Sequence, residues 1–220
     1  YFSTPYREQI NHAFEPFFED NIDVAIINVS NSTLDYKLLV IPGDYVMDEY
    51  SAVAIRSFVK NGGTAVMTAF SAKVDEHNQW FDTPLPGRLD DVFGLRTSEF
   101  YRPSGMPEVS FEGKTLKATF PFYEVLEPKD AKILARFSNL PEQPPAITVH
   151  DFGKGRAIYL AAPAQMSLLA PLVRSLYNGL GIERGPATPE GVFARSVKGG
   201  TLYVNSTGES KAIPIDAPRS

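Results

Sequence analysis

Ser71, three histidines and one dense polar run are the residues of this sequence whose types could carry chemistry. Ser71 follows an apolar run, Thr64 to Phe70, and leads on through Ala72 and Lys73. Acyl-transfer enzymes built on α/β folds place a nucleophile at such a strand-to-helix elbow, where glycines permit the strained turn. Ala69-Phe70-Ser71-Ala72-Lys73 contains no glycine. His12, His77 and His150 are the available bases, and no serine, histidine and acid share a spacing that defines a triad. No catalytic residue is therefore assigned.

The polar run is Asp75-Glu76-His77-Asn78, followed at once by Trp80 and Phe81. As chemistry, it is a metal site or an acid/base pair of the kind a glycosidase places across a sugar. As structure, it is a solvated loop. Successive residues of a strand point to opposite sides, so Asp75 and Glu76 converge only in an irregular loop. The solvated loop is the preferred reading, and no metal or cofactor ligand is assigned. Large aromatics at the end of a polar loop call for a cover. Packing on their own domain and contact with a partner both supply one. Asp75, Glu76, His77, Asn78, Trp80 and Phe81 thus form a candidate partner-contact loop. Two glycine pairs invite a phosphate reading and do not support it. Gly62-Gly63 precedes a strand rather than opening a helix, and Gly153-Lys154-Gly155 joins two strand-like runs.

The elements that position these residues follow from periodicity. Ser3 or Thr4 with Pro5 starts a helix, along which Ile10, Ala13, Phe14, Phe17 and Phe18 recur at helical spacing. Pro16 kinks that helix or marks its last turn. Asp23 to Val29 and Leu38 to Ile41 read as buried strands. Asp48 then caps a helix from Glu49 to Lys60, with Val53, Ala54, Ser57 and Phe58 on its inner face and Asn61-Gly62-Gly63 as its stop. Thr64 to Phe70 is a third strand. This order predicts an open, mostly parallel sheet with helices on both faces. Further on, Leu89 to Phe93 is a short helix ended by Gly94. Val109 to Phe111, Leu116 to Phe120, Ile133 to Phe137 and Ala146 to His150 are shorter strands. A turn at Asp151 to Arg156 leads into Ala157 to Ala161, and Gln165 to Leu180 is a final amphipathic helix. Glu183 to Glu190 reads as a linker. Val192 to Val197 and Thr201 to Asn205 flank a hairpin turn at Lys198-Gly199-Gly200, and Lys211 to Ile215 offers one more strand. The domain reading is a main domain at 1–182 and a small β appendage at 183–220.

Composition narrows the function classes. With 43% apolar and 21% charged residues the chain is an ordinary globular sequence. The net charge of -5 and the scatter of Lys and Arg exclude a basic face for nucleic acid or polybasic membrane docking. The longest apolar runs are too short to span a bilayer. Absence of cysteine removes disulfides and thiolate nucleophiles, and leaves cytoplasm and periplasm both open. A start at Tyr1 without Met or signal peptide suggests a fragment or a processed chain.

One stretch matches a known arrangement as a unit. Asp35-Tyr36-Lys37-Leu38-Leu39-Val40-Ile41-Pro42 is followed by a helix ending Phe58-Val59-Lys60-Asn61-Gly62-Gly63-Thr64. Then come Val74-Asp75-Glu76, Leu85-Pro86-Gly87-Arg88-Leu89-Asp90-Asp91-Val92-Phe93-Gly94-Leu95 and Glu99-Phe100. In order and spacing this resembles the trimerisation domain of the β-galactosidases of glycoside hydrolase family 42, over about residues 1 to 182. The tail resembles the start of the small C-terminal β domain of those enzymes. The resemblance implies a class I glutamine amidotransferase-like, flavodoxin-like fold without the amidotransferase nucleophile. It implies a homotrimeric parent whose upstream (β/α)₈ barrel carries both catalytic glutamates, and so a non-catalytic, oligomerising role for this chain. No Asn-Glu dipeptide of the kind that carries the family's acid/base residue occurs here. The competing expectation is a stand-alone amidotransferase-like hydrolase or small-ligand binder using Ser71 or the Asp75 to His77 loop.

Overall fold

The computed structural model of the chain describes residues 6 to 213. Its first helix, α1 (Tyr6–Glu19), turns Ala13 and Phe17 into the core, and Pro16 falls in its last turn. The capping residues Ser3, Thr4 and Pro5 lie outside the described residues. Asp23 to Val29 is not a strand. From Asp23 to Ile26 the run is irregular and exposed, and Val29–Asn31 close a short 3-10 turn capped by Asn28. β propensity is realised only where a neighbouring edge pairs with it, and no backbone group from Asp23 to Ile27 is hydrogen-bonded among the described residues.

The first strand is β1 (Leu38–Ile41). Helix α2 (Glu49–Lys60) follows, with Asp48 Oδ1 accepting the Ser51 N–H at 2.8 Å. Its buried face carries Ala52, Ile55, Phe58 and Val59, whereas Val53 is exposed. The expected stripe is thus displaced by about one position. Ala52, Ile55 and Val59 form a competing row at helical spacing, and their bulk takes the core side. β2 (Thr64–Thr68) is buried at every residue, so both faces of the sheet are covered there. Helix α3 (Asp90–Phe93) ends at Gly94 in the left-handed conformation, φ 63°. Two short hairpin partners, β4 (Glu108–Phe111) and β5 (Lys114–Lys117), come after β3 (Leu95–Tyr101). Then follow β6 (Tyr123–Pro128), β7 (Lys132–Phe137), β8 (Pro145–Phe152), β9 (Gly155–Leu160) and helix α4 (Met166–Leu180).

Seven strands form one sheet in the order β1-β2-β9-β8-β7-β4-β5. Only the β1/β2 and β2/β9 neighbours are parallel, with Leu38 opposite Thr64 and Thr64 opposite Arg156; the remaining neighbours are antiparallel. The α/β class holds, and the parallel part is narrower than the sequence suggests. Connection length is the reason. Parallel neighbours need a crossover of a dozen or more residues, as α2 supplies, whereas the two-residue turn Gly153-Lys154 folds β8 directly onto β9. Unanticipated strands β3 and β6 pair with each other as a separate ribbon. The core gathers Ile55, Met67, Phe93, Ile158, Tyr159 and Leu169 between sheet and helices. After α4, β10 (Val192–Val197) and β11 (Gly200–Asn205) make their own two-stranded sheet. It touches α1 through Phe18 and Phe193, ring centroids 4.3 Å apart, and the turn after α1 through Asn21 Oδ1, which accepts the Ala194 N–H at 2.8 Å. Lys211 to Ile213 carry no strand, and the rest of the expected one, 214 to 220, lies outside the described residues.

Candidate functional site

The C-terminal ends of β1, β2 and β9 are where an open α/β sheet places its ligands. At the end of β2 the chain turns sharply, with Phe70 at φ 72° and Ala72 at φ 53°. A phenylalanine takes the first of these left-handed positions, and no helix follows directly. Ser71 is fully buried. Its hydroxyl donates to the Ile41 carbonyl at 3.3 Å and accepts the Asp44 N–H at 3.1 Å, with no histidine among its partners. His12 lies on α1 with Nδ1 3.1 Å from the Ala164 carbonyl, and His150 on β8 with Nδ1 2.9 Å from the Val92 carbonyl. The His77 backbone N–H binds Asp75 in an exposed turn.

What holds this turn is a buried polar network that the sequence reading does not contain. Lys73 Nζ stands 2.9 Å from Glu124 Oε1 and donates to Thr97 Oγ1 at 3.2 Å. Glu124 also accepts the strained Phe70 N–H at 2.9 Å and the Tyr159 hydroxyl at 2.7 Å. Burial, then the Glu124 charge, pushes the Tyr159 phenol well above its ordinary range. Every donor here points at one carboxylate, so the network is satisfied and rigid. Lys73 directly after a fully apolar run, and Glu124 at an inward position of Tyr123-Glu124-Val125-Leu126, are the signals that pointed to it.

The loop after Lys73 resolves into an anchor and a presented face. Val74 bridges Val46 on one side and Trp80 on the other. Between them Asp75 Oδ1 accepts the His77 and Gln79 N–H groups at 2.9 and 2.8 Å, and Asn78 takes a positive φ of 60°. These bonds, the Gln79 N–H first, hold the Asp75 carboxyl below its usual range. Glu76 turns to Arg88 instead, Oε2 to Nη1 2.8 Å, and the same guanidinium nitrogen donates to the Met47 carbonyl at 2.8 Å. Asp75 and Glu76 therefore do not converge, and each is engaged in holding the loop's shape. Among the described residues no three His, Asp or Glu side chains cluster so as to hold a metal ion.

Phe81 and Trp80, adjacent in sequence, have opposite environments. Phe81 lies across the bare Cα of Gly87, where any Cβ would collide with its ring, and under the Arg88 guanidinium at 5.2 Å. Trp80 is 54% exposed, beside Val46 at 45%, and Tyr50 at the start of α2 is 78% exposed. The row Val46–Val74–Trp80 thus presents apolar surface over a buried valine. Asp44, just before it, is partly buried. Burial, then the charge of Asp48, raises its carboxyl from the ordinary 3.8 to about 6.

The parallel strand ends of this mixed α/β sheet thus carry a buried polar network and an exposed apolar row. Residues 2–183 match the family described as "Beta-galactosidase trimerisation domain", and the chain belongs to that family. It is 26% identical over 211 residues to the β-galactosidase BgaP of a Planococcus species, covering 92% of this chain and 31% of that protein. To the β-galactosidase LacA of Lactobacillus acidophilus it is 30% identical over 181 residues, 81% of this chain and 27% of that protein. A solved β-galactosidase from a Rahnella species superposes with a TM-score of 0.79 at 28% identity, over 88% of this chain and 30% of that one. The chain spans about a third of the length of the relatives it matches.

Proposed function

We propose that this chain is the non-catalytic oligomerisation domain of a β-galactosidase-like glycoside hydrolase, holding catalytic barrels in a homotrimer. The family match over residues 2–183 carries this reading. The names of the relatives support the glycosidase parent. The amidotransferase-like classification is supported by the parallel β1-β2-β9 block and by the left-handed Phe70 at the strand end. Division at about residue 182 is supported by the separate β10–β11 sheet. The competing hydrolase reading is less favoured: Ser71 is buried against backbone, and Asp75 and Glu76 are engaged apart.

Within that reading, the loop from Asp75 to Phe81 contacts a neighbouring polypeptide. Trp80 and Val46 supply the apolar centre, and Glu76, His77 and Asn78 a polar rim. Among the described residues no helix is long and apolar enough to cross a membrane. Light scattering on the full-length protein tests the proposal. A trimer is expected; a stable monomer at micromolar concentration sinks it.

A further inference from the structure

We propose that the edge of β1 is not the true edge of the sheet, and that an extended, apolar strand from the rest of the full-length polypeptide inserts between β1 and the Asp23 to Val29 run. The proposal rests on family membership only through the greater length of the relatives, not on the oligomerising role.

The two walls of the slot are both unsatisfied. β1 ends the strand order. The Lys37 carbonyl accepts the Thr64 N–H at 3.1 Å, so Lys37 faces β2. By alternation Leu38 and Val40 aim their N–H and C=O groups at the open side, where no bond to them is formed among the described residues. Across the gap stands Asp-Val-Ala-Ile-Ile-Asn-Val, a β-forming run without a backbone hydrogen bond from Asp23 to Ile27, with Val24 and Ile26 exposed. Both walls line one cavity of about 530 Å³, floored by Phe14 and Phe17 of α1.

The open backbone edge calls for a strand, and the cavity has room for one. At about 3.3 Å rise per residue, 4.8 Å between strands and 10 Å between layers, a four-residue strand fills about 630 Å³. The cavity is of that order, and four residues is the length of β1. A small apolar ligand would fill the space and leave the backbone groups of both walls unpaired, at a cost that buried polar groups do not tolerate. A strand satisfies them. Its side chains must be apolar toward Phe14 and Phe17, and uncharged along the cavity. The matched relatives, about three times as long, have the chain to supply it.

Amide hydrogen exchange, measured on this 220-residue chain and on the full-length protein, tests the insertion. Leu38 and Val40 should exchange freely in the chain and about tenfold or more slowly in the full-length protein. Ile26→Asp should leave the melting temperature of the chain unchanged, because Ile26 is 70% exposed in it, and lower that of the full-length protein by several degrees. Equal exchange in both proteins overturns the proposal. So does protection already present in the chain, which means that its own Asp23 to Val29 run closes the gap. If that protection instead rises with chain concentration, a second copy is the occupant and the proposal fails equally.

Discussion

Asp44 and Glu124 are two carboxyls at the same end of the sheet with opposite relations to charge. Asp44 is partly buried near another acid, and among the described residues its side chain makes none of the bonds that hold its loop, which run through its backbone N–H and C=O. Below pH 3.8 both folded and unfolded states keep its proton. Between 3.8 and about 6 the folded state holds a proton that the unfolded state releases, so stability falls as pH rises, and above about 6 the penalty is complete. Asp44→Asn should therefore stabilise the chain at pH 7.5, by at most about 3 kcal/mol, with the gain vanishing at pH 4. Urea titrations at the two pH values check this, and a gain of equal size at both refutes the assignment. Glu124 is the reverse case, a buried charge fully paired. Glu124→Gln or Lys73→Met alone should cost about 3–5 kcal/mol, because each strands its partner, while Lys73→Met with Glu124→Gln, which keeps an amide oxygen for the Phe70 N–H and the Tyr159 hydroxyl, should cost less than the sum of the two. Denaturation of the three variants measures the coupling, and simple additivity would place the two side chains in separate roles.

At the scale of an element, the loop between β2 and α3 divides its tasks between neighbouring aromatics. Phe81 is packed on Gly87 and Arg88 of its own domain, whereas Trp80 lies on the outer row with Val46. Phe81→Ala should destabilise the 220-residue chain by about 1–3 kcal/mol. Trp80→Ala should change its stability by less than about 0.5 kcal/mol, as an exposed substitution does, and should weaken assembly of the full-length protein by about 1–3 kcal/mol. Melting curves of the chain and light scattering of the full-length protein separate the two effects. A Trp80→Ala chain that melts well below the parent, with normal assembly of the full-length variant, returns the tryptophan to its own core.

For the whole molecule, the antiparallel half of the sheet widens the body on the side away from β1. Hairpins such as β8–β9 and β4–β5 need no crossover helix, so β4, β5 and β7 extend away from the parallel strand ends where a site would form. Retaining glycosidases need two carboxyls about 5 Å apart across the bond they cleave. The isolated chain is therefore expected not to hydrolyse aryl galactosides. Turnover that is abolished by replacing one of its own acids would overturn the oligomerisation reading.

Much of this was legible from residue order alone, where the cause is local. The cap at Asp48, the stop at Gly94, the hairpin turn at Gly153-Lys154 and the buried run Thr64 to Thr68 each follow from a few adjacent residues, and each stands where the pattern put it. Family membership was legible for the same reason, since it rests on the order and spacing of such local signals along one stretch. Tertiary structure alone decided the rest. Lys73 and Glu124 are fifty-one positions apart in sequence and meet only because β3 and β6 form a ribbon over the end of β2. Asp23 to Val29 has every local mark of a strand and is not one, because pairing needs a second edge in contact. Trp80 and Phe81 are equivalent in sequence, and they part company because a strand-like bridge to Val74 turns one outward while the bare face of Gly87 receives the other. Caps and turns are set by neighbours along the chain; burial, pairing and charge partners are set by neighbours in space.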